Sequence, residues 1–239
     1  MTLHAVILAG GLGTRLRPLT TLIPKPLVPI GDRRSIVDIS IEQLARQGYE
    51  HIHLAVGHMS HLIRATLGDG ERWGVTISYT EESGPLGTAG PLTLIKDLPE
   101  DFVVMNGDVL CDVDFREMHE SHRLASVSLT IASSLRTVKH EYGVLTVRNG
   151  ALRDFEEKPT VHFPVSMGVY VVSRSLIEEF PTGEPMGFDD LIKLLLVRNE
   201  WPSVYEHAGL WFDVGRPDDY DVINSDPESL LTRLLRNEG

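Results

Sequence analysis

Arg15 and Lys25 stand just after a glycine-rich stretch, Gly10-Gly11-Leu12-Gly13, and that company is what an anionic ligand needs. Glycine lets a ligand approach the backbone, where N–H groups can donate to phosphate oxygens. A guanidinium adds a planar fork and an ammonium a mobile point charge. Between Gly10 and Ser35 there are five cations (Arg15, Arg17, Lys25, Arg33 and Arg34) and one acid, Asp32, in a chain of net charge −12. A phosphate site on an acidic protein fits that contrast better than a solvated loop. Two aspartates also stand out. Asp108 in "FVVMNGD" and Asp213 in "LWFDVG" end apolar runs, where a carboxylate is costly without a partner. Each reads as a helix cap, a salt-bridge acid or a ligand for a hard cation.

The elements around these residues alternate. "HAVILAG" reads as a buried strand, and "HIHLAV" (51–56), "VTISYT" (75–80) and "FVVMNGD" (102–108) as further strands. Ser35 with Asp38 three residues on is a capping-box signal for a helix over 36–47. Helical stretches are also expected near 61–67 and 88–95. This rhythm predicts a mainly parallel, helix-covered sheet. The second half reads differently: "SVSLTIAS" (126–133) alternates as a half-buried strand, and residues 142–157 form a hairpin turning at Asn149-Gly150. "SMGVYVV" (166–172) and "LWFDVG" are strands, with helices over 187–199, near 217–224 and near 227–236. One sheet with a mixed, partly antiparallel second half is expected.

Composition narrows the function. The 239 residues, 42% hydrophobic and 23% charged, suit one large α/β domain. The acidic balance argues against nucleic-acid binding. No apolar run reaches membrane-spanning length, and the N-terminus lacks the basic region of a signal peptide, so a cytoplasmic protein without membrane contacts is expected. Cys111 is the only cysteine, which excludes an internal disulfide and a cysteine zinc cluster. It reads as a small buried side chain. The histidines, among them His51, His53, His58, His61, His119 and His122, form no coherent ligand pattern.

Three phosphate motifs compete for residues 10–16. A Walker A loop needs Gly-Lys-Ser/Thr, which Gly13-Thr14-Arg15 does not supply. The dinucleotide fingerprint needs a third glycine where Leu16 stands, and an acid near Gly57 for a ribose. The remaining reading is a glycine-rich loop for a nucleoside triphosphate. Here the chain resembles the sugar-1-phosphate nucleotidylyltransferases over nearly its whole length. "GGLGTRLRPLT" with "PKPLVPI" (24–30) carries the resemblance, followed in family order by "PLGTAGPL" (85–92), "NGDVL" (106–110), "YGV" (142–144), "EEKP" (156–159) and "WFDVGRPDDY" (211–220).

The resemblance implies a Rossmann-like three-layer α/β/α fold with a mostly parallel, mixed central sheet, of the GT-A-like nucleotide-diphospho-sugar transferase kind. It also implies a single domain over 1–239: a nucleotide-binding half to about 112, a sugar-phosphate-binding half over about 113–225, and a C-terminal helix. With 26 residues after Asp213, no β-helix domain of the kind that longer relatives carry is expected. The implied reaction is attack of a sugar 1-phosphate on the α-phosphorus of a nucleoside triphosphate, giving a nucleotide-sugar and pyrophosphate. Leu8, Ala9, Gly10, Gly11, Gly13, Thr14, Arg15, Lys25, Pro85, Gly87, Thr88, Asn106 and Gly107 would bind the nucleotide. Arg15, Lys25 and Asp108 would act in catalysis, with Asp108 and Asp213 holding Mg²⁺. Tyr142, Gly143, Glu157, Lys158, Ser166 and Gly168 would bind the sugar phosphate, with Ser166 standing where many relatives carry an asparagine. "PLGTAGPL" resembles the guanylyl branch, which points to GTP and to mannose, a heptose or a pseudo-sugar. Uridylyl, thymidylyl or adenylyl transfer, and a non-catalytic regulatory subunit, are the alternatives. The partners are the two substrates, and a homodimer is allowed.

Overall fold

The computed structural model describes residues 2–32 and 34–235. In chain order the strands are β1 (Leu3–Ala9), β2 (Pro29–Ile30), β3 (Arg34–Ser35), β4 (Tyr49–Val56), β5 (Thr76–Glu81), β6 (Asp101–Asn106), β7 (Val109–Cys111), β8 (Leu129–Lys139), β9 (Val144–Arg148), β10 (Ala151–Glu156), β11 (Thr160–Ser173), β12 (Ser203–His207) and β13 (Trp211–Asp213). The helices are α1 (Ile36–Arg46), α2 (Ser60–Leu67), α3 (Phe115–Ala125), α4 (Arg174–Glu178), α5 (Phe188–Val197), α6 (Pro217–Ser225) and α7 (Pro227–Leu234).

Seven strands form the main sheet in the order β12-β8-β11-β6-β1-β4-β5. Only β11 runs against its neighbours, pairing antiparallel with β6 and β8, while the other adjacent pairs are parallel. The period-2 pattern decides which side chains meet which layer. Ala5, Ile7 and Ala9 of β1, with Val103 and Met105 of β6, face a cluster containing Val37, Ile41 and Leu44 of α1, Ile63 of α2 and Phe115 and Met118 of α3. Val6, Phe102 and Val104 face Leu176 and Ile177 of α4 and Leu191 and Leu195 of α5. The result is three layers. On the second side Tyr170 stacks on Phe188 with ring centroids 3.8 Å apart.

The Ser35 capping box forms as the spacing predicts: Asp38 N–H donates to Ser35 Oγ, and Ser35 N–H donates to the Asp38 carboxylate. Two local expectations change, and two elements are new. Residues 88–95 contain a 3₁₀ turn at Gly90–Leu94 in place of a helix, and the Ala89 and Gly90 N–H groups before and at its start donate to Met186 O. "LWFDVG" does not join the main sheet, since β13 pairs with β7 as a separate two-stranded ribbon. The parallel edge strand β12 and the helix α3 have no counterpart in the sequence reading. Arg33 and the last four residues, including Arg236 of the expected tail helix, lie outside the described residues.

Candidate active site at the carboxyl ends of the strands

β1 and β6 are parallel neighbours, so the glycine loop after Ala9 and the Gly107-Asp108 turn emerge side by side. Gly107 N–H donates to Leu8 O at 2.9 Å and ties the two together. Gly13 has a φ of 63°, and a β-carbon there would press on Thr20 Cγ2 at 2.9 Å and Lys25 Cβ at 3.0 Å. Thr20 Oγ1 donates to Gly13 O at 2.7 Å. The loop thus folds back on the segment that carries Lys25, which is 8% exposed.

Lys25 Nζ is in direct contact with Asp108 Oδ2. Arg15 Nη1 lies 3.7 Å from Asp213 Oδ2. The β7–β13 ribbon explains how acids over a hundred residues apart come together: Asp213 is in register with Val109, and Val214 N–H donates to Asp108 O at 2.9 Å. A β-carbon on Gly215 would collide with Lys25 Nζ, Asp213 Oδ1 and Arg15 Nη2, so the charged tips converge on one point. Two other cations of the loop, Arg17 and Arg34, do not join them. Arg34 pairs with Glu42 on α1, and Arg17 is exposed without an ion pair among the described residues.

Asp108 and Asp213 offer hard oxygen ligands, and two carboxylates leave most of an octahedral shell for phosphate and water. This donor set fits Mg²⁺ bound chiefly by substrate. Among the described residues no group of three or more His, Cys, Asp or Glu side chains forms a closed cage. Cys111 is buried, and burial pushes its thiol up to about 12, so it is an inert packing group.

The "PLGTAGPL" loop is stitched to the segment before α5: Met186 N–H donates to Leu86 O, and Phe188 N–H donates to Thr88 Oγ1 at 3.0 Å. Gly87, with φ 76°, lies against the Met186 carbonyl, and Pro85, Gly87 and Thr88 are all exposed. One residue absent from the sequence reading belongs here. Glu82, one step past β5, brings its carboxylate against the Gly10 α-carbon and accepts from Leu86 N–H at 3.3 Å. Burial raises its pKa, and the Leu86 hydrogen bond opposes that. An isolated "EES" before a loop carries no motif, so the sequence held no signal for it.

The residues expected to bind the sugar phosphate are arranged more loosely. Gly143 lies against Phe155 and Glu157, and Gly168, with φ 74°, leaves room for the Asn106 side chain. Asn106 Oδ1 is buried without a partner. Ser166 Oγ lies 3.2 Å from Tyr170 Oη. Tyr142 is 81% exposed, while Glu157 and Lys158 are exposed and make no hydrogen bond or ion pair with the described residues. Asp219, also unforeseen, accepts from Asp213 N–H at 2.9 Å and pairs with Arg136 at 3.4 Å, which lies over the Trp211 ring.

A glycine loop lies at the carboxyl edge of a wound sheet, where such sheets bind their ligands, with two acid–base pairs meeting beside it. The family model described as "Nucleotidyl transferase" matches residues 4–229, and the chain belongs to that family, among the sugar-1-phosphate nucleotidylyltransferases. Mannose-1-phosphate guanyltransferase beta-B of Xenopus laevis is 34% identical over 227 residues, which cover 91% of this chain and 62% of that protein. Mannose-1-phosphate guanyltransferase of Debaryomyces hansenii is 36% identical over 228 residues, with the same coverage. The chain therefore spans less than two thirds of these relatives' length. Among solved structures, HddC from Yersinia pseudotuberculosis superposes with a TM-score of 0.73 at 26% identity, covering 95% of this chain and all of that one. A structure of HddC complexed with GMP-PN gives 0.71 at 25% identity.

Proposed function

We propose that the protein transfers a guanylyl group from GTP to the phosphate of a mannose- or heptose-type sugar 1-phosphate, releasing pyrophosphate. The carrying observation is the convergence of Lys25, Arg15 and Asp213 on Gly215, with Asp108 on Lys25. An oxygen of the sugar phosphate attacks the α-phosphorus, the bond to the β-phosphate oxygen breaks, and pyrophosphate leaves. The nucleophile is already an anion, so no general base is needed. The protein must hold two mutually repelling anions in line and stabilise the leaving charge. Arg15 meets the pyrophosphate with its planar fork, and Lys25 turns from Asp108 to the transferred phosphate. Asp108 and Asp213 would hold Mg²⁺, which supplies charge neutralisation across the phosphates.

Glu82 supports guanine as the base. Guanine presents N1–H and the N2 amino group side by side, and one carboxylate accepts from both. Uracil and thymine flank their single N3–H with carbonyl oxygens, which a carboxylate repels. The names of the relatives, and the GMP-PN bound to HddC, agree with a guanine nucleotide. Glu157 and Lys158 meet the sugar hydroxyls and its phosphate.

A pyrophosphate-release screen crossing the nucleoside triphosphates with a panel of sugar 1-phosphates tests the reaction. GTP should give the highest kcat/KM, and tenfold or better turnover with UTP, dTTP or ATP would refute the guanine assignment. In Glu82→Gln, an amide can donate to a pyrimidine carbonyl and accept from N3–H. Its kcat/KM for GTP should fall by about 10²-fold or more while the preference over UTP collapses. An unchanged GTP preference in this variant removes Glu82 from the base site.

A further inference from the structure

Asp219 is a third carboxylate at the phosphate end, but its partners differ from those of Asp108 and Asp213. Pro217 opens α6 and places Asp219 in its first turn, where the positive end of the helix favours a carboxylate. A single oxygen, Oδ2, accepts from Asp213 N–H at 2.9 Å and meets Arg136 Nη2 at 3.4 Å. The Asp219 side chain is 15% exposed, whereas Asp218 beside it lies in the open. Among the described residues no three His, Cys, Asp or Glu side chains form a group that could hold a metal, so Asp219 does not join Asp108 and Asp213 as a ligand.

Arg136 is carried by β8, whose far end leads into the β9–β10 hairpin. Its guanidinium carbon lies 4.1 Å from the centroid of the Trp211 ring, a cation–π contact, while its tip reaches Asp219. Trp211 is itself fixed, because its Nε1–H donates to Met167 O on β11 at 3.1 Å. Trp211 and Asp213 stand two residues apart on β13, so they share one face of the strand.

A three-residue strand is a weak frame for an acid that must be aimed. β13 is paired on one side only, with β7, and Asp213 is its last residue. Asp219 supplies the missing hold with a charge-assisted hydrogen bond to the Asp213 backbone. We infer, on the function proposed above, that Asp219 is a positioning residue: held by Arg136, it fixes the backbone of Asp213 and so aims that carboxylate at the cation. Arg136 also neutralises Asp219, which as a free third carboxylate would compete for the cation. The strand that leads into the hairpin thereby sets an acid at the phosphate end.

The first test needs no catalysis. Amide exchange in the free protein, read residue by residue by NMR, should be about tenfold or more faster at Asp213 in Asp219→Ala than in the parent. The Val214 amide, which donates to Asp108 O, should be unchanged. Asp219→Asn keeps an oxygen that can accept from Asp213 N–H and should exchange like the parent. Arg136→Met should speed Asp213 less than Asp219→Ala does and add nothing in the double variant, since it acts through Asp219. The second test is calorimetric. The gain in GTP affinity on adding Mn²⁺ should shrink about tenfold in Asp219→Ala and be kept in Asp219→Asn, with the affinity for GTP alone unchanged in both. Parent-like exchange or an undiminished metal gain in Asp219→Ala, or additive effects of the two substitutions, overturns the inference. So does a loss as large in Asp219→Asn as in Asp219→Ala, which would make Asp219 a ligand itself. A parent that does not bind GTP refutes the guanine assignment instead, and the exchange at Asp213 still decides the positioning role.

Discussion

The phosphate end of the sheet and the β9–β10 hairpin lie in one molecule but are built on opposite terms. At the phosphate end Lys25 is 8% exposed, the glycine loop is tied down by Thr20, and Asp108 and Asp213 are set by the β7–β13 ladder. Along the hairpin, Tyr142, Glu157 and Lys158 are held only by a solvated two-stranded ribbon. The contrast matches two kinds of work. Charge stabilisation of a reacting phosphate needs fixed groups, because reorganisation at the moment of reaction weakens it. Recognition of a sugar tolerates a deformable frame, and such a frame can be re-cut for different sugars while the phosphate chemistry stays intact.

Four substitutions test this division, in falling order of effect. Lys25→Ala should lower kcat by about 10²–10³, since it removes charge from the transferred phosphate and leaves Asp108 unpaired. Single-turnover kinetics will read it, and a loss confined to the KM for the sugar phosphate would dissolve the contrast. Asp108→Asn and Asp213→Asn should each raise the Mg²⁺ requirement and lower kcat by about ten- to a hundredfold. The double variant should lose far less than the product of the single losses, because the two acids act as one unit. If Asp213→Asn turns over like the parent in a magnesium titration, Asp213 only positions Gly215, whose N–H it accepts at 2.9 Å. Glu157→Ala should raise the KM for the sugar phosphate by about tenfold with kcat preserved, the pattern of a contact equally strong in ground and transition states. A fall in kcat at unchanged KM would place Glu157 with the fixed groups.

Much of the site was legible because its signals are local. Gly13, Arg15 and Lys25 sit within one short stretch, and the Ser35 cap is a four-residue pattern. What escaped is long-range. Nothing near "LWFDVG" says that it pairs with Val109–Cys111 and leaves the main sheet, because a three-residue strand owes its partner to the fold around it. Glu82 escaped for the same reason: its carboxylate lies against Gly10, which is remote in the chain. Residues 88–95 misled by composition: only a 3₁₀ turn forms there, docked on the distant Met186 carbonyl. Among the loop cations, charge alone did not distinguish Arg34, which is taken by Glu42, from Arg15 and Lys25, which face the acids.

The joint between the two halves has a mechanical consequence. β6 and β11 run as a continuous ladder from Asp101 with Ser173 to Met105 with Val169, so the strands of the first half of the chain join those of the second without a linker. A ladder transmits shear and resists rotation, so the halves cannot swing about it like the jaws of a clamp. Any closure on substrate falls to the overhang past Leu135, a cantilever anchored at its root in the sheet. Backbone amides on either side of the β6–β11 ladder would then exchange with solvent as one slow unit, while those of the overhang exchange fast and slow down only when it is loaded.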